Sequence, residues 1–202
     1  MQNTPPLQTE RLVLRRFALT DLEAFFDIGR DEEVNTFLPL FPFTALEDAK
    51  EHLQEKYLKS YENPTGFRYA ICLKTENVPI GYVNVADNDS YDFGYGLRKE
   101  YWHKGIVTEA CRAVIHLLSL ADIPYITATH DVNNPRSGNV MKKIGMTYRY
   151  SYEELWQPKN ILVTFRMYQL NLSSPDAPVY QKYWDTHSVH FVENDVLIVK
   201  EK

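Results

Sequence analysis

Three features of this sequence predict a mixed α/β domain organised around one sheet. Two alternating runs, 67–74 and 80–87, flank a turn at Glu76-Asn77 and read as paired strands. A long run, 105–121, carries Val107, Ala110, Cys111, Val114, Leu117, Leu118 and Ala121 at helical spacing. It lies between two further strand-like runs, 91–98 and 125–129, so the three form one right-handed β–α–β crossover. Apolar residues supply 44% of the 202 positions and charged residues 24%, a soluble composition with enough apolar mass for one sizeable core.

The remaining elements follow from local signals. Residues 12–17 form a short strand. Thr20 is the expected cap of a helix running through Leu22, Phe25 and Phe26 to Ile28, with Gly29 closing it. Residues 36–43 are aromatic and broken by Pro39 and Pro42, which makes them a loop. Thr44 with Glu47 is a capping-box signature that opens a helix reaching about Tyr61. Residues 87–90 are a turn. Asn134 caps a short helix over 135–144, with Pro135 at its first position, Lys142 and Lys143 complementing its C-terminal dipole, and Gly145 as its stop. Two closing strands cover 146–152 and 161–170. The order β-α-α-β-β-β-α-β-α-β-β assigns residues 1–172 to one domain. Residues 173–202 read as an extension: a linker over 173–176, then a β-hairpin of 189–192 and 196–199 around Glu193-Asn194-Asp195, packed on the domain or on a partner subunit.

The net charge of -5 and a pI near 5.7 argue against a dedicated nucleic-acid binder and suit an amine-bearing substrate. Cys72 and Cys111 sit in apolar runs and read as buried thiols of a reducing compartment. With no CxxC or Cys/His cluster, no metal site is expected. Residues 1–7 are polar, and no apolar run approaches the ~20 residues that cross a bilayer, so a cytoplasmic protein without a membrane partner is expected.

The segment 91–110 carries the chemistry. A strand runs into a loop whose Gly105 opens the long helix, and free N–H groups at a helix start attract anions. His103 and Lys104 stand beside it. Gly94 and Gly96 lie two apart in the strand, where glycine weakens pairing unless a bulge or a close ligand needs the space. The segment has neither GxGxxG nor GxxxxGKS, which argues against dinucleotides and nucleoside triphosphates.

Three phrases, in this order, resemble the GNAT acyltransferase superfamily, and within it the RimJ/RimL-like branch of ribosomal-protein N-acetyltransferases. They are Leu7-Gln8-Thr9-Glu10-Arg11-Leu12-Val13-Leu14-Arg15, then Tyr101-Trp102-His103-Lys104-Gly105-Ile106-Val107-Thr108-Glu109-Ala110, then the stretch from Asn134 through Ser137 to Gly145-Met146. The resemblance covers roughly residues 7–172. It implies the GNAT fold, with acetyl-CoA as co-substrate and the strands holding Leu97 and Tyr125 splayed around the thioester. It also implies that Leu97 and Arg98 pair through their main chain with the pantetheine arm. The backbone of His103, Lys104, Gly105, Ile106, Val107 and Thr108 would cradle the pyrophosphate, and Asn134, Ser137 and Asn139 would face the cofactor. His103 stands where the family has glycine and Val107 where it has alanine, so the loop has either to hold its course without a positive φ at 103 or to shift. Met141 occupies the position where many members carry a tyrosine general acid.

Transfer to an amine needs alignment, a proton acceptor and stabilisation of the oxyanion. Asp92, on the cofactor strand where the branch often has Glu, is the first candidate base; His130, at the end of the 125–129 strand, is the second. Glu109 reads as a structural carboxylate facing the helix dipole. A main-chain N–H near Leu97 is the expected oxyanion donor. Phe37, Tyr95 and Trp156 are expected to wall the acceptor pocket, Phe41 and Phe43 to join the core, and Trp102 to pack under the loop. The acceptor is expected to be a protein N-terminus or a small amine. Two other readings are a catalytically weak acyl-CoA- or peptide-binding module, and an assembly protein whose tail swaps within a homodimer.

Overall fold

The structure, a computed structural model, describes residues 3–63, 65–121, 123–173 and 177–197. Five strands form one antiparallel sheet in the order β1 (Leu7–Gln8), β2 (Leu12–Arg15), β3 (Phe67–Leu73), β4 (Pro79–Val85) and β5 (Phe93–Leu97). A second antiparallel sheet has the order β6 (Tyr125–Asp131), β8 (Ile161–Asn171), β7 (Thr147–Trp156) and β9 (His190–Phe191). One isolated parallel bridge, between Asp92 and Thr127, joins the two. The expected mixed sheet is therefore two antiparallel halves that meet at one point and diverge beyond it.

Helices cover both faces. On one face α4 (Ile106–Ser119) and α5 (Pro135–Lys143) enclose the largest core, in which Ala110, Cys111, Val114 and Leu118 of α4 meet Leu12, Ile71, Val83, Phe93 and Ala128 of the strands. On the opposite face α1 (Leu22–Arg30), α2 (Glu32–Asn35) and α3 (Leu46–Leu53) cover the first sheet. Phe17, Phe25, Ala49, Leu53 and Tyr57 form the core there, with Phe25 and Tyr57 packed edge-on to Phe17. Past α3 the chain continues through one wide helical turn, Gln54–Leu58, and a tight one, Lys59–Glu62.

Two helix starts lie one residue beyond the expected caps. Asp21, rather than Thr20, opens α1; its carboxylate accepts the Ala18 N–H at 2.8 Å and the Arg15 guanidinium at 2.7 and 2.9 Å. At α3 the capping carboxylate is Asp48, not Glu47. It accepts from the Thr44 N–H and hydroxyl and from the Ala45 N–H, so the helix begins at Leu46. At α3 the Asp48 carboxylate makes the side-chain half of a capping box, whereas at α1 the Asp21 carboxylate closes the preceding tight turn, Leu19–Asp21, and makes no bond to the N–H groups of α1.

The chain past the linker folds back onto its own second sheet. The short helix α6 (Lys182–Thr186) lies over a third core of Tyr150, Tyr152, Val163, Phe165 and Met167, with Tyr183 stacked on Tyr152 at 5.3 Å. The expected hairpin does not form. Its first arm supplies β9, which pairs with Ser151 and Tyr152 on the edge of β7, and its second becomes the helical turn α7 (Asn194–Leu197); Ile198 and Val199 lie outside the described residues. With β7 already supplying the ladder, β9 needs no second arm. Glu193 pins this return, accepting from Arg166 at 2.5 and 2.9 Å and from Ser151.

Hydrogen bonding by Arg166 holds the Glu193 carboxyl below its usual range. A depressed carboxyl stabilises the fold above its unfolded pKa and loses that contribution as pH falls through the folded value. Glu193→Gln is therefore expected to cost about 1 kcal/mol at pH 7, or ~2–4 °C in Tm. Thermal melts across pH should show this difference shrinking towards zero below about pH 4.

Candidate active site

Hydrogen-bond direction along β5 defines the open edge of the site. The Arg98 N–H donates to the Ile80 carbonyl, and the Ala86 N–H donates to the Asp92 carbonyl, so the even-numbered residues spend their main chain on β4. Alternation in an antiparallel ladder turns the main chain of Phe93, Tyr95 and Leu97 the other way, into the gap before β6. The Leu97 carbonyl accepts the Trp102 indole N–H at 2.8 Å. The Tyr95 groups and the Leu97 N–H therefore form the strand edge. Arg98 drops out of this role: its carbonyl accepts from the Tyr101 N–H, and its side chain pairs with Glu100 at 2.5 Å.

Two left-handed residues shape the loop between β5 and α4. His103 has φ +61° and Gly105 φ +75°. The loop thus holds a glycine-like course at 103 despite the imidazole, where the sequence led us to expect either a negative φ or a shifted loop. The first helical bond of α4 runs from the Glu109 N–H to the Gly105 carbonyl, so the N–H groups of Ile106, Val107 and Thr108 have no partner within the helix. They point out of a helix start whose dipole favours an anion. Arg11 anchors the loop from behind, donating to the Lys104 carbonyl at 3.0 Å and pairing with Glu109 at 2.6 Å. Glu109 also accepts from Thr9 at 2.5 Å, which makes it the tie between the N-terminal segment and α4. Lys104 is exposed, with its ammonium 5.5 Å from the centre of the Tyr101 ring.

Across the gap, the Asn134 carboxamide caps α5 by accepting the Ser137 N–H at 3.3 Å. The Tyr95 hydroxyl reaches over from β5 and donates to the Ser137 carbonyl at 2.8 Å, with the Ser137 hydroxyl 3.1 Å away. Tyr95 is thus a strut between β5 and α5, on the face opposite Asp92, while Asn139 stays exposed at the rim.

Asp92 and His130 part company. Asp92 pairs with Thr127 at the seam and lies near Tyr152 and Tyr183 on the face covered by α1–α3 and α6. Desolvation there pushes its carboxyl up to about 6. His130, one strand position out of phase with Thr127 and Thr129, points to the other face. Its ring packs on Tyr168 and beneath α5, where a Cβ at Gly138 would collide with it. Its Nδ1 lies 2.8 Å from the Asp131 carbonyl, and burial lowers its pKa. His130, the second candidate base, thus lies under α5 on the face opposite Asp92; it lines the same cleft, and its Nε2 is buried without a partner among the described residues.

One continuous cleft of about 1240 Å³ links the loop at 103–108 to the face of Asp92. Phe37 and Trp156 line it, and Trp156 is held edge-on to Phe165 at 5.2 Å. Lys159, at the tip between β7 and β8, donates to the carbonyls of Asn35 and Thr36 at 2.6 and 3.1 Å and so ties that tip to the segment that carries Phe37. Phe43 packs against Phe25, whereas Phe41 is 60% exposed and lies outside the core. The two strand glycines differ. Gly96 is needed because a Cβ would strike the Tyr82 ring, while a Cβ at Gly94 would meet nothing within 4 Å and opens onto the cleft. The sequence reading passed over Arg68, Asn84, Tyr57 and His52 on the cleft floor and over Tyr183 beside Asp92. The available signal was polarity in otherwise apolar strands, Phe67-Arg68-Tyr69 and Val83-Asn84-Val85. Among the described residues no group of three His, Cys, Asp or Glu is placed to hold a metal ion.

A β-carbon at φ +61° is strained by about 1 kcal/mol relative to glycine. Relief of that strain and the added freedom of the unfolded chain are of similar size, so His103→Gly is expected to shift Tm by less than ~2 °C, read by calorimetry.

Comparison with known proteins identifies this arrangement. The family model described as an acetyltransferase (GNAT) domain matches residues 11–147. An uncharacterized N-acetyltransferase, YnaD of Bacillus subtilis, is 28% identical over 144 residues, 69% of this chain and 81% of that protein. The fold matches a GNAT-family acetyltransferase structure from Bacillus anthracis with a TM-score of 0.72 at 23% identity, covering 83% of this chain and 98% of that one. It also matches RimL, a ribosomal L7/L12 alpha-N-protein acetyltransferase solved with coenzyme A, with a TM-score of 0.73 at 16% identity over 83% and 98% of the two chains. The chain belongs to the GNAT acetyltransferase family, whose members transfer an acetyl group from acetyl-CoA.

Proposed function

We propose that this acetyltransferase binds acetyl-CoA in the gap between β5 and β6 and passes its acetyl group directly to an amine held on the Asp92 face. One observation carries the reading: the desolvated Asp92 carboxylate sits at the seam from which the unpaired edge of β5 opens. The N–H groups of Ile106, Val107 and Thr108 suit a pyrophosphate, and those of Tyr95 and Leu97 suit the amide chain leading to the thioester. Asn134 and Ser137 form the opposite wall, and Asn139 and Lys104 are placed at its rim.

The chain's own groups then divide the work. Asp92 takes a proton from the acceptor ammonium, freeing the lone pair that attacks, or from the amine as the new bond forms; a carboxyl poised near 6 is ionised at neutral pH yet more basic than an ordinary carboxylate. The Leu97 N–H lies five residues, ~16 Å, along β5 from Asp92, so charge developing on the carbonyl oxygen falls to the open N–H nearer the seam, that of Tyr95. Phe37 and Trp156 line the acceptor face with apolar surface that disfavours water, and Lys159 holds the segment that carries Phe37. Neither cysteine supplies a nucleophile: Cys72 and Cys111 are buried in separate cores, and burial raises both thiols, which supports direct attack without a covalent enzyme intermediate. The same reduced thiols fit a cytoplasmic setting. The likeness to RimL, which acetylates a ribosomal-protein amino terminus, keeps a protein N-terminus among the acceptors alongside small amines.

Calorimetric titration with acetyl-CoA, with NAD and ATP as controls, tests the cofactor: micromolar binding of acetyl-CoA alone is expected, and no binding would remove the reading. Asp92→Asn is expected to lower kcat roughly 10²–10⁴-fold with acetyl-CoA affinity nearly unchanged, and to abolish the limb of the pH–rate profile that rises through about 6. The same substitution should raise Tm at pH 8. The fold holds this carboxyl above its ordinary value of 3.8, so ionising it costs stability as pH climbs from about 4 to 6.

A further inference from the structure

Past Gly94, away from the thioester gap, the cleft floor is a row of three residues on adjacent strands. Arg68 of β3 is in register with Asn84 of β4, which is in register with Gly94 of β5. Residues in register share a face, and strands lie ~4.8 Å apart, so the row runs ~10 Å from Arg68 to the open floor at Gly94. All three line the cleft, with His52 and Tyr57 beside Arg68.

Two groups in this row have unmet valence. Arg68 is half-buried, yet among the described residues no carboxylate lies within 4.0 Å of its guanidinium and no hydrogen bond reaches it; the guanidinium lies 5.9 Å from the centre of the Tyr57 ring. Of the other half-buried arginines, Arg15, Arg98 and Arg166 are paired with Asp21, Glu100 and Glu193, while Arg16 and Arg149 also lack a carboxylate among the described residues but lie outside the cleft lining. Asn84 donates its Nδ2 to the Tyr57 hydroxyl at 3.0 Å, but its Oδ1 is buried with no partner. A partly desolvated cation without a counterion, and a buried acceptor without a donor, each cost stability unless a ligand completes them.

We propose that the acceptor amine carries an anionic group, a carboxylate or a phosphate, which Arg68 binds, and that Asn84 Oδ1 takes up a donor of the acceptor where it has one. This inference rests on the acetyl-transfer reading and names the chemical class of its acceptor. The planar guanidinium fork matches either anion with two parallel bonds. With the long arginine side chain reaching along the row, a short amino acid or an aminoalkyl phosphate can lie with its amine towards Asp92 and its anion towards β3. The chain as a whole is acidic, but this end of its cleft is cationic, with Lys56 as well as Arg68 acting on His52.

The experiment compares matched acceptors at saturating acetyl-CoA by thiol release: leucine against leucinamide, β-alanine against its amide, and phosphoethanolamine against ethanolamine. At least one acid should exceed its uncharged counterpart tenfold or more in kcat/KM, with the carboxylate and phosphate arms separating the two anion sources. Arg68→Gln should erase that preference while leaving the uncharged amines and the acetyl-CoA Kd unchanged, and Arg68→Lys should restore part of it. Equal or faster turnover of the uncharged amines, or an equal loss on both members of a pair, would overturn the anion site while leaving acetyl transfer intact. If no amine in the set is turned over, the acids are titrated into the coenzyme A-loaded protein by calorimetry. Binding that Arg68→Gln abolishes supports the subsite even then, and no binding of any acid overturns it.

Discussion

The site depends on one pair of residues. At Asp92 and Thr127 two antiparallel sheets touch through a single parallel bridge, and beyond it no ladder joins β5 to β6. An unpaired strand edge inside a fold is costly because its N–H and C=O groups need partners. Here the divergence places that edge in a cleft, where an amide-bearing chain can complete it. The helix start at Gly105 and the cap at Asn134 border the same gap, so a pyrophosphate site and a pantetheine site follow from one departure from regular pairing.

The bridge also separates the two chemistries. Side chains alternate across a strand, so Phe93 and Tyr95 serve the α4–α5 side while Asp92 and Gly94 serve the other. The first face is occupied by packing: Phe93 joins the main core and Tyr95 braces Ser137. The second face is where an acceptor can lie, and it is closed at one end by α1–α3 and at the other by α6. The C-terminal return is thus part of the site's architecture, because it brings Tyr183 against Tyr152 beside Asp92.

Much of this was legible because its signals are local. The amphipathic run of α4, the Asn134-Pro135 start of α5 and the glycine at 105 each follow from spacing within a few residues. The role of Arg98 was misread because only the hydrogen-bond phase of β5 against β4 shows which residues face the gap. The face that His130 takes was hidden for the same reason, since its distance along β6 from the seam does not fix it. His103 shows the limit of residue preference: the surrounding loop holds a non-glycine residue at positive φ, where propensity alone argues otherwise. The tail hairpin failed because an edge strand, β7, offered its first arm a better partner than its own second arm. Arg68 and Asn84 escaped notice because their significance lies in what they lack, and missing partners are visible only in three dimensions.

The central claim is that acetyl-CoA completes the open edge of β5. Residue-resolved hydrogen exchange of the full chain, with and without acetyl-CoA, addresses it most directly. The account predicts that the Tyr95 and Leu97 amides, together with those of Ile106, Val107 and Thr108, become protected on binding while Arg98, already bonded to Ile80, does not change. Binding that leaves the Tyr95 and Leu97 amides exchanging as before would contradict it.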